Sequence, residues 1–300
     1  MLASRLLRRV RTELRLSGTA AWRGLLELLN SNDLTHAASI AYYALLSLFP
    51  FLLLIISLLG VVTADEHDRV AVLGFVFRYF PTQLDFVTSQ LDAFRGASLR
   101  LGVGGALALI WGSLGVFGAV TSAVNEAWGV EKQRSFLKHR LVSFLMLVAA
   151  GGVMVLALFI VSFVSIVERT RFGTILMTIR ELYIVEVLGV EYLGTLLFII
   201  GVGLVFYFIP NAKTRFRDVW VGAILTGVLW RLAFDGFSWY LGRNIGLKMI
   251  HGSVAAVLGF LLWIYVSSII LMYGVEFTAS YARLRRRRPD DVPAAQSPRV

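Results

Sequence analysis

The 300-residue sequence contains no cysteine, only six prolines, and few charged residues, which make up 16% of the chain. Without cysteine there can be no disulfide framework, no thiolate metal site and no cysteine nucleophile. No glycine-rich loop precedes a Lys-Ser or Lys-Thr pair, so the chain has no ATP-binding loop of that kind. The four histidines are scattered without the spacing of metal ligands. We therefore expect no catalytic residue, no cofactor and no metal.

Hydrophobic residues, in contrast, make up 57% of the chain. They form six apolar runs, each with the ~20 residues that a helix needs to cross the hydrocarbon core of a bilayer. We find no alternating strand pattern between them. The sequence therefore predicts an all-α, polytopic membrane protein with six transmembrane helices. The predicted spans lie at about 36–62, 101–127, 141–167, 192–210, 219–241 and 254–277.

The distribution of arginine and lysine predicts how these spans are oriented. If both termini are cytoplasmic, 19 of the 29 basic residues lie in the inner segments and nine in the outer loops. Nine acidic residues balance those nine bases, so the outer side has no net charge. This is the positive-inside pattern. We expect the basic inner face to contact anionic lipid headgroups and no nucleic acid.

The chain divides into three predicted regions. Residues 1–35 form a basic amphipathic segment, which we expect to lie as helix on the inner leaflet. Residues 36–280 form the six-helix domain, whose outer loops 63–100 and 168–191 mix apolar and acidic residues and are predicted to form interfacial amphipathic helices. Residues 281–300 contain four consecutive arginines and are predicted to be a disordered cytoplasmic tail.

The fifth apolar run carries two charged residues. Arg231 lies near its middle and Asp235 follows one helical turn later. A charged residue at the centre of a transmembrane helix is penalised by ~2.5–3.5 kcal/mol on insertion scales. At this spacing the two side chains can pair, and we expect both to face the protein interior. The pair has two interpretations: a buried ion pair that holds helices together, or a charge site that lines a cavity.

The first apolar run carries a polar stripe. Thr35, Ser39, Tyr43 and Ser47 recur every four residues and lead to Pro50. Proline removes a backbone donor, so we expect a kink there. A kinked helix with a polar face suits the wall of a cavity. The alternative is that the small polar side chains pack against neighbouring helices.

A sparser polar stripe in the sixth run consists of Tyr265, Ser268 and Glu276. Glu276 and Glu126 lie near the inner ends of their runs. Pairing with loop arginines explains these two carboxylates most simply, and a role in a cavity is the alternative. In the second run, small residues recur every four positions, an arrangement that permits close helix packing.

Several strings together suggest a family. Residues 38–50 read ASIAYYALLSLFP, residues 125–128 NEAW, residues 209–211 IPN, residues 220–223 WVGA, residues 252–257 GSVAAV, residues 262–265 LWIY and residues 274–276 GVE. Over roughly residues 20–282 the chain resembles the YihY/BrkB family of bacterial inner-membrane proteins. His251 and Val275 depart from the usual pattern.

The resemblance implies a six-helix protein of the bacterial inner membrane. Members have been called virulence or serum-resistance factors and were formerly mislabelled ribonuclease BN; a lipid-like substrate is also implied. The resemblance supplies no catalytic residues. Because acidic residues of the cytoplasmic side are dispersed along the sequence, we expect no metal-dependent nuclease site and no enzyme.

These features lead to a functional hypothesis with one alternative. We expect a secondary transporter or lipid flippase, driven by an ion gradient or by the gradient of its substrate. A cationic residue at mid-membrane suggests an anionic or amphipathic substrate. The alternative is a non-transporting envelope or virulence-associated membrane protein that acts through helix packing and partners. A homo-oligomer fits both hypotheses.

Overall fold

The computed structural model describes residues 2–62, 98–130, 195–212, 214–243 and 252–286. It also describes residues 138, 141–146, 148–149, 151–152 and 156. Every regular element in this part of the chain is a helix. The all-α class that the sequence predicts is therefore confirmed.

Six helices are named here in chain order: α1 (Leu2–Asn30), α2 (Asp33–Val62), α3 (Ser98–Ala127), α4 (Thr195–Phe208), α5 (Phe216–Arg243) and α6 (Gly252–Arg286). Within α5 and α6, the stretches Phe216–Tyr240 and Val257–Arg286 are long and apolar enough to cross a membrane, judged by length and composition. α4 is a shorter apolar helix. The third predicted span is described only in part, so six crossings stay a prediction.

Two predicted boundaries are corrected. α6 does not end near Phe277 but continues to Arg286, so residues 281–286 are helical and do not belong to a disordered tail. The helix continues because Tyr281 and Ala282 are buried against other helices. α3 begins at Ser98, inside the region predicted as an outer loop. The rest of that loop, the second outer loop and the remainder of the tail lie outside the described residues.

α6 is the central helix of the described structure and contacts α1, α2, α3 and α5. Its C-terminal half lies very close to α1. A Cβ atom placed on Gly24 would lie 2.9 Å from the backbone nitrogen of Phe277. The hydroxyl of Tyr273 donates to the carbonyl of Ala21 at 3.2 Å, and that of Tyr281 donates to Oε2 of Glu13 at 2.8 Å. α1 therefore contacts α6 at three points.

The amphipathic character predicted for the N-terminal segment is visible in α1, which is one continuous helix. Ala20, Gly24 and Leu28 recur every four residues and are buried. Trp22 and Leu29 lie on other sides of the helix and are exposed. One side of α1 packs against other helices. Its exposed aromatic and aliphatic side chains are therefore the part of α1 that can contact a membrane surface.

α3 ends in a glycine cap that fixes two polar residues. Gly129 has a positive φ of 66°, which glycine adopts without steric cost. The backbone NH groups of Gly129 and Val130 donate to the carbonyls of Glu126 and Asn125 at 2.8 and 3.0 Å. This hydrogen-bond pattern is that of a Schellman motif. It holds Asn125 and Glu126 at the last turn of the helix.

Candidate functional site

A cavity of about 350 Å³ lies between α2, α3, α4, α6 and the helical residues Met146 and Ala149. All but two of its lining residues are apolar, and the two polar ones are Ser267 and Ser268 of α6. The apolar wall is formed by Ile40, Val116, Phe117, Val120, Met146, Ala149, Phe198, Gly201, Val202, Leu204, Val205, Ile264 and Leu271. The cavity therefore suits an apolar chain.

The two serines of the wall differ in their hydrogen bonds. Ser268 Oγ donates to the carbonyl of Ile264 at 2.8 Å, which is the usual way for a helical serine to satisfy its hydroxyl. Ser267 Oγ is buried and has no hydrogen-bond partner in the described structure. The wall therefore contains one hydroxyl group whose hydrogen-bonding capacity is unused. Among the predicted site residues whose side chains the structure describes, Ser268 alone lines this cavity.

The polar stripe of the first run does not line the cavity, to which α2 contributes Ile40. Ser39 Oγ donates to the carbonyl of Thr35 at 3.1 Å, and Ser47 Oγ to that of Ala44 at 3.0 Å. Both hydroxyls are thus satisfied within their own helix.

The stripe instead meets the small residues of α3. The ring of Tyr43 occupies the space beside Gly115. A Cβ atom on Gly112 would lie 3.1 Å from Cβ of Ser47. The structure therefore supports the packing interpretation for this stripe and for the small residues of the second run. α2 continues through Pro50, whose side chain lies outside the described set. Tyr265 of α6 packs on the hydrophobic core and is not among the cavity's lining residues.

The expected ion pair of the fifth run is present. Arg231 Nε lies 3.2 Å from Asp235 Oδ2. The expectation that both side chains face the interior is wrong for Asp235, whose side chain is 54% exposed, against 22% for Arg231. A four-residue step rotates the helix position by about 40°, which is enough to move Asp235 out of the interior. Neither residue lines the cavity.

A second group of charged residues lies where the end of α1, the start of α2 and the end of α3 approach the C-terminal half of α6. His36 Nε2 lies 2.9 Å from Glu126 Oε2. Glu276 is buried, with Oε2 3.7 Å from Nη2 of Arg283 on the same helix. The negative charges of Glu27 and Asp33 also act on Glu276. Carboxylates that are dispersed along the sequence are therefore brought together here.

Asp33 is one of the members of this group, like Glu27 and His36, that the sequence did not single out. It is buried at the first turn of α2, and its Oδ2 has no hydrogen-bond partner in the described structure. Burial raises the pKa of the Asp33 carboxyl, an effect opposed by a hydrogen bond with Ser31 and by the charge of His36. In the sequence, its position could have been found from Ser31-Asn32, which form a turn between two helical patterns. Among the described residues, no three His, Asp or Glu side chains are placed to hold a metal ion.

The sequence of the chain matches one known family over most of its length. The sequence profile of the family described as Virulence factor BrkB matches residues 26–299. The chain belongs to the BrkB family. This membership confirms the resemblance drawn from the sequence strings, and with the apolar helices it establishes a membrane protein.

Individual BrkB relatives are distant. The chain is 27% identical over 265 residues to a protein of Bacillus subtilis named putative ribonuclease-like protein YfkH, covering 86% of this chain and 93% of that one. It is 30% identical over 258 residues to a UPF0761 membrane protein of Alkalilimnicola ehrlichii, covering 85% of this chain and 57% of that one. It is 29% identical over 253 residues to a UPF0761 membrane protein of Pseudoalteromonas translucida, covering 81% and 79%. No solved structure matches.

In this BrkB chain, the strings that carry the resemblance join helices to one another. Asn125 Oδ1 accepts a hydrogen bond from the backbone NH of Asn211 at 2.8 Å, which links the NEAW and IPN strings. Gly222 of the WVGA string provides the space for Thr278, and Gly274 of the GVE string provides it for Thr226. These contacts join α3 to the segment that follows α4, and α5 to α6.

Proposed function

We propose that this BrkB-family protein is a secondary transporter or lipid flippase that moves an amphipathic substrate. The observation that carries the proposal is the cavity of about 350 Å³ among five helical segments. Its volume lies in the ~300–1,000 Å³ range of ligand pockets. A cavity bounded by apolar side chains has little affinity for water, so the acyl or isoprenoid part of a lipid is a suitable occupant.

The lining of the cavity favours an amphipathic substrate over an anionic one. No charged side chain is among the described residues that line it, and Arg231, which suggested an anionic substrate, lies elsewhere. Ser267 supplies one hydroxyl that a polar group of the substrate can bind. The proposal includes an inner-membrane location with both termini cytoplasmic, and energy from an ion or substrate gradient because the chain has no ATP-binding loop.

Reconstitution with a cavity-filling variant tests the proposal. A Cβ atom on Gly201 would meet no atom within 4 Å, and Gly201 lines the cavity. Gly201→Leu therefore adds a bulky apolar side chain at the cavity wall, at a position where its Cβ atom meets no neighbour. Gly259→Leu is the matched control, because it also has open space but lies outside the cavity wall. In proteoliposomes, movement of fluorescent phospholipids and isoprenoid lipids is followed by quenching with a membrane-impermeant reductant.

We expect wild-type protein and Gly259→Leu to move at least one lipid of the panel above the rate of protein-free vesicles. Gly201→Leu should reduce that movement several-fold. Absence of movement across the panel, or equal rates in the two variants, would contradict transport through this cavity.

The alternative, a non-transporting envelope protein, is favoured by the three attachments of α1 to α6. Under it, Gly201→Leu leaves function in cells intact and raises thermal stability by filling empty space. Gly201→Leu therefore distinguishes a transporter from a non-transporting protein. We further propose that the protein is not an enzyme; cleavage of a transfer RNA precursor by highly purified protein, abolished by a single carboxylate substitution, would disprove this.

A further inference from the structure

One face of α5 is exposed along most of its length. Ile224, Val228, Leu232, Asp235 and Trp239 lie within a sector of about 80° on the helix surface, at 100° per residue. The four apolar side chains are 48–63% exposed. Asp235, with a side chain that is 54% exposed, lies in the same row. The face is thus an apolar stripe that contains one carboxylate.

Other positions of α5 pack against neighbouring helices. Gly222 gives space to Thr278 of α6, and Gly227 gives space to Ile199 of α4. The ring of Trp230 stacks on that of Phe198, with 4.6 Å between centroids. The stripe lies on a side of α5 that is largely exposed in the described structure.

Lipid is a poor occupant for this stripe. α5 contains a stretch long and apolar enough to cross a membrane, and a carboxylate that faces acyl chains is costly. Arg231, at the edge of the stripe, lies 3.2 Å from Asp235 and offsets part of this cost. The stripe thus exposes the carboxylate of Asp235 on an otherwise apolar surface, and the side chain of Arg231, which is 22% exposed, lies at its edge.

We propose that this stripe binds a second copy of the chain, with α5 against α5 across a twofold axis along the membrane normal. A twofold interface needs a surface that is complementary to itself. The stripe meets this need, because Asp235 of each protomer can accept hydrogen bonds from the guanidinium group of the other protomer's Arg231. The interface removes the carboxylates from lipid and buries the apolar side chains around them.

Cysteine cross-linking tests the geometry, because the chain has no cysteine of its own. A disulfide at twice the monomer mass can then form only between two copies. Leu232→Cys lies on the stripe, Ala223→Cys is buried, and Leu258→Cys is exposed on α6 and reports random collision. In native membranes under mild oxidation, we expect the dimer band for Leu232→Cys well above the other two. No excess for Leu232→Cys would overturn the proposal, whether lipid or another segment of the chain covers the stripe.

A charge exchange tests the pairing between protomers. Asp235→Arg carries two positive charges on the stripe, and Arg231→Asp carries two negative charges. Either variant should associate poorly with itself, since like charges then meet at the interface. Co-expressed with different tags, the two variants should co-purify several-fold more than either variant does with itself. Equal recovery in all combinations would disprove the pairing between protomers. If these variants fold poorly, the single-cysteine experiment, which leaves both charges in place, still tests whether the stripe forms the dimer interface.

Discussion

Arg285 Nη1 lies 2.5 Å from Asp218 Oδ1, in a contact that joins the end of α6 to the start of α5. The side chains are 12% and 1% exposed. Asp218 is in the first turn of its helix and Arg285 in the last turn of its own. Each charge therefore also has the sign that the local helix dipole favours. The pair connects the two described helices whose composition suits a membrane crossing.

Removal of one member of this pair should be strongly destabilising. Asp218→Ala leaves a buried guanidinium without its carboxylate, a change that typically costs about 3–5 kcal/mol. We expect a fall of the unfolding midpoint in detergent, measured by tryptophan fluorescence, of roughly 2–4 °C per kcal/mol. Glu126→Ala is the control, because its pair with His36 is half-exposed and such pairs contribute about 0–1 kcal/mol. Equal midpoints for the two variants would contradict this account.

The approach of α1 to α6 predicts opposite effects for two glycines of α1. Gly24→Ala places a Cβ atom 2.9–3.0 Å from backbone atoms of Phe277, which cannot yield as a flexible side chain does. It should destabilise the fold by about 1–3 kcal/mol. Gly18→Ala meets no atom within 4 Å and should be neutral, or stabilising by up to about 1 kcal/mol through helix propensity.

Thermal unfolding and limited proteolysis of α1 measure both glycine variants. The expected order of stability is Gly18→Ala at or above wild type, and Gly24→Ala below it. A Gly24→Ala protein as stable as Gly18→Ala would show that α1 does not lie this close to α6.

The raised pKa of Asp33 predicts a pH-dependent stability. Because the folded state holds the proton more tightly than the unfolded state, this group favours folding below its ordinary pKa of 3.8. That contribution is lost as the pH rises through the raised pKa. Asp33→Asn cannot ionise, so it should unfold a few degrees higher than wild type at pH 8, and the difference should shrink towards pH 4. A difference that is constant across this range would exclude titration of Asp33 as the cause.

The predicted orientation is tested with single cysteines at Gln83 and Ser297, positions outside the described residues. In intact cells, an impermeant thiol reagent should label Gln83→Cys and leave Ser297→Cys unlabelled until the membrane is opened. The reverse pattern would invert the topology. This experiment also tests the inner-face location of the basic residues, on which the orientation rests.

The sequence by itself determined the class of the protein and its family. Length and hydrophobicity of a helix are local properties, so the runs at 219–241 and 254–277 could be recognised without knowledge of their neighbours. The pairing of Arg231 with Asp235 was also predictable, because residues four apart on a helix are always adjacent. The BrkB strings were recognised for the same reason, since each is a short continuous segment.

Only the tertiary structure decided which side chains share a site. Ser39 and Ile40 are neighbours in sequence, yet Ile40 lines the cavity and Ser39 does not, because the rotation of α2 about its axis is set by its packing on α3. Likewise Asp33 and Glu276 are brought together by the contact of α6 with α2, more than two hundred residues apart along the chain. Such placements depend on close fits between helices, such as Gly24 against Phe277, and a hydrophobic pattern does not specify them.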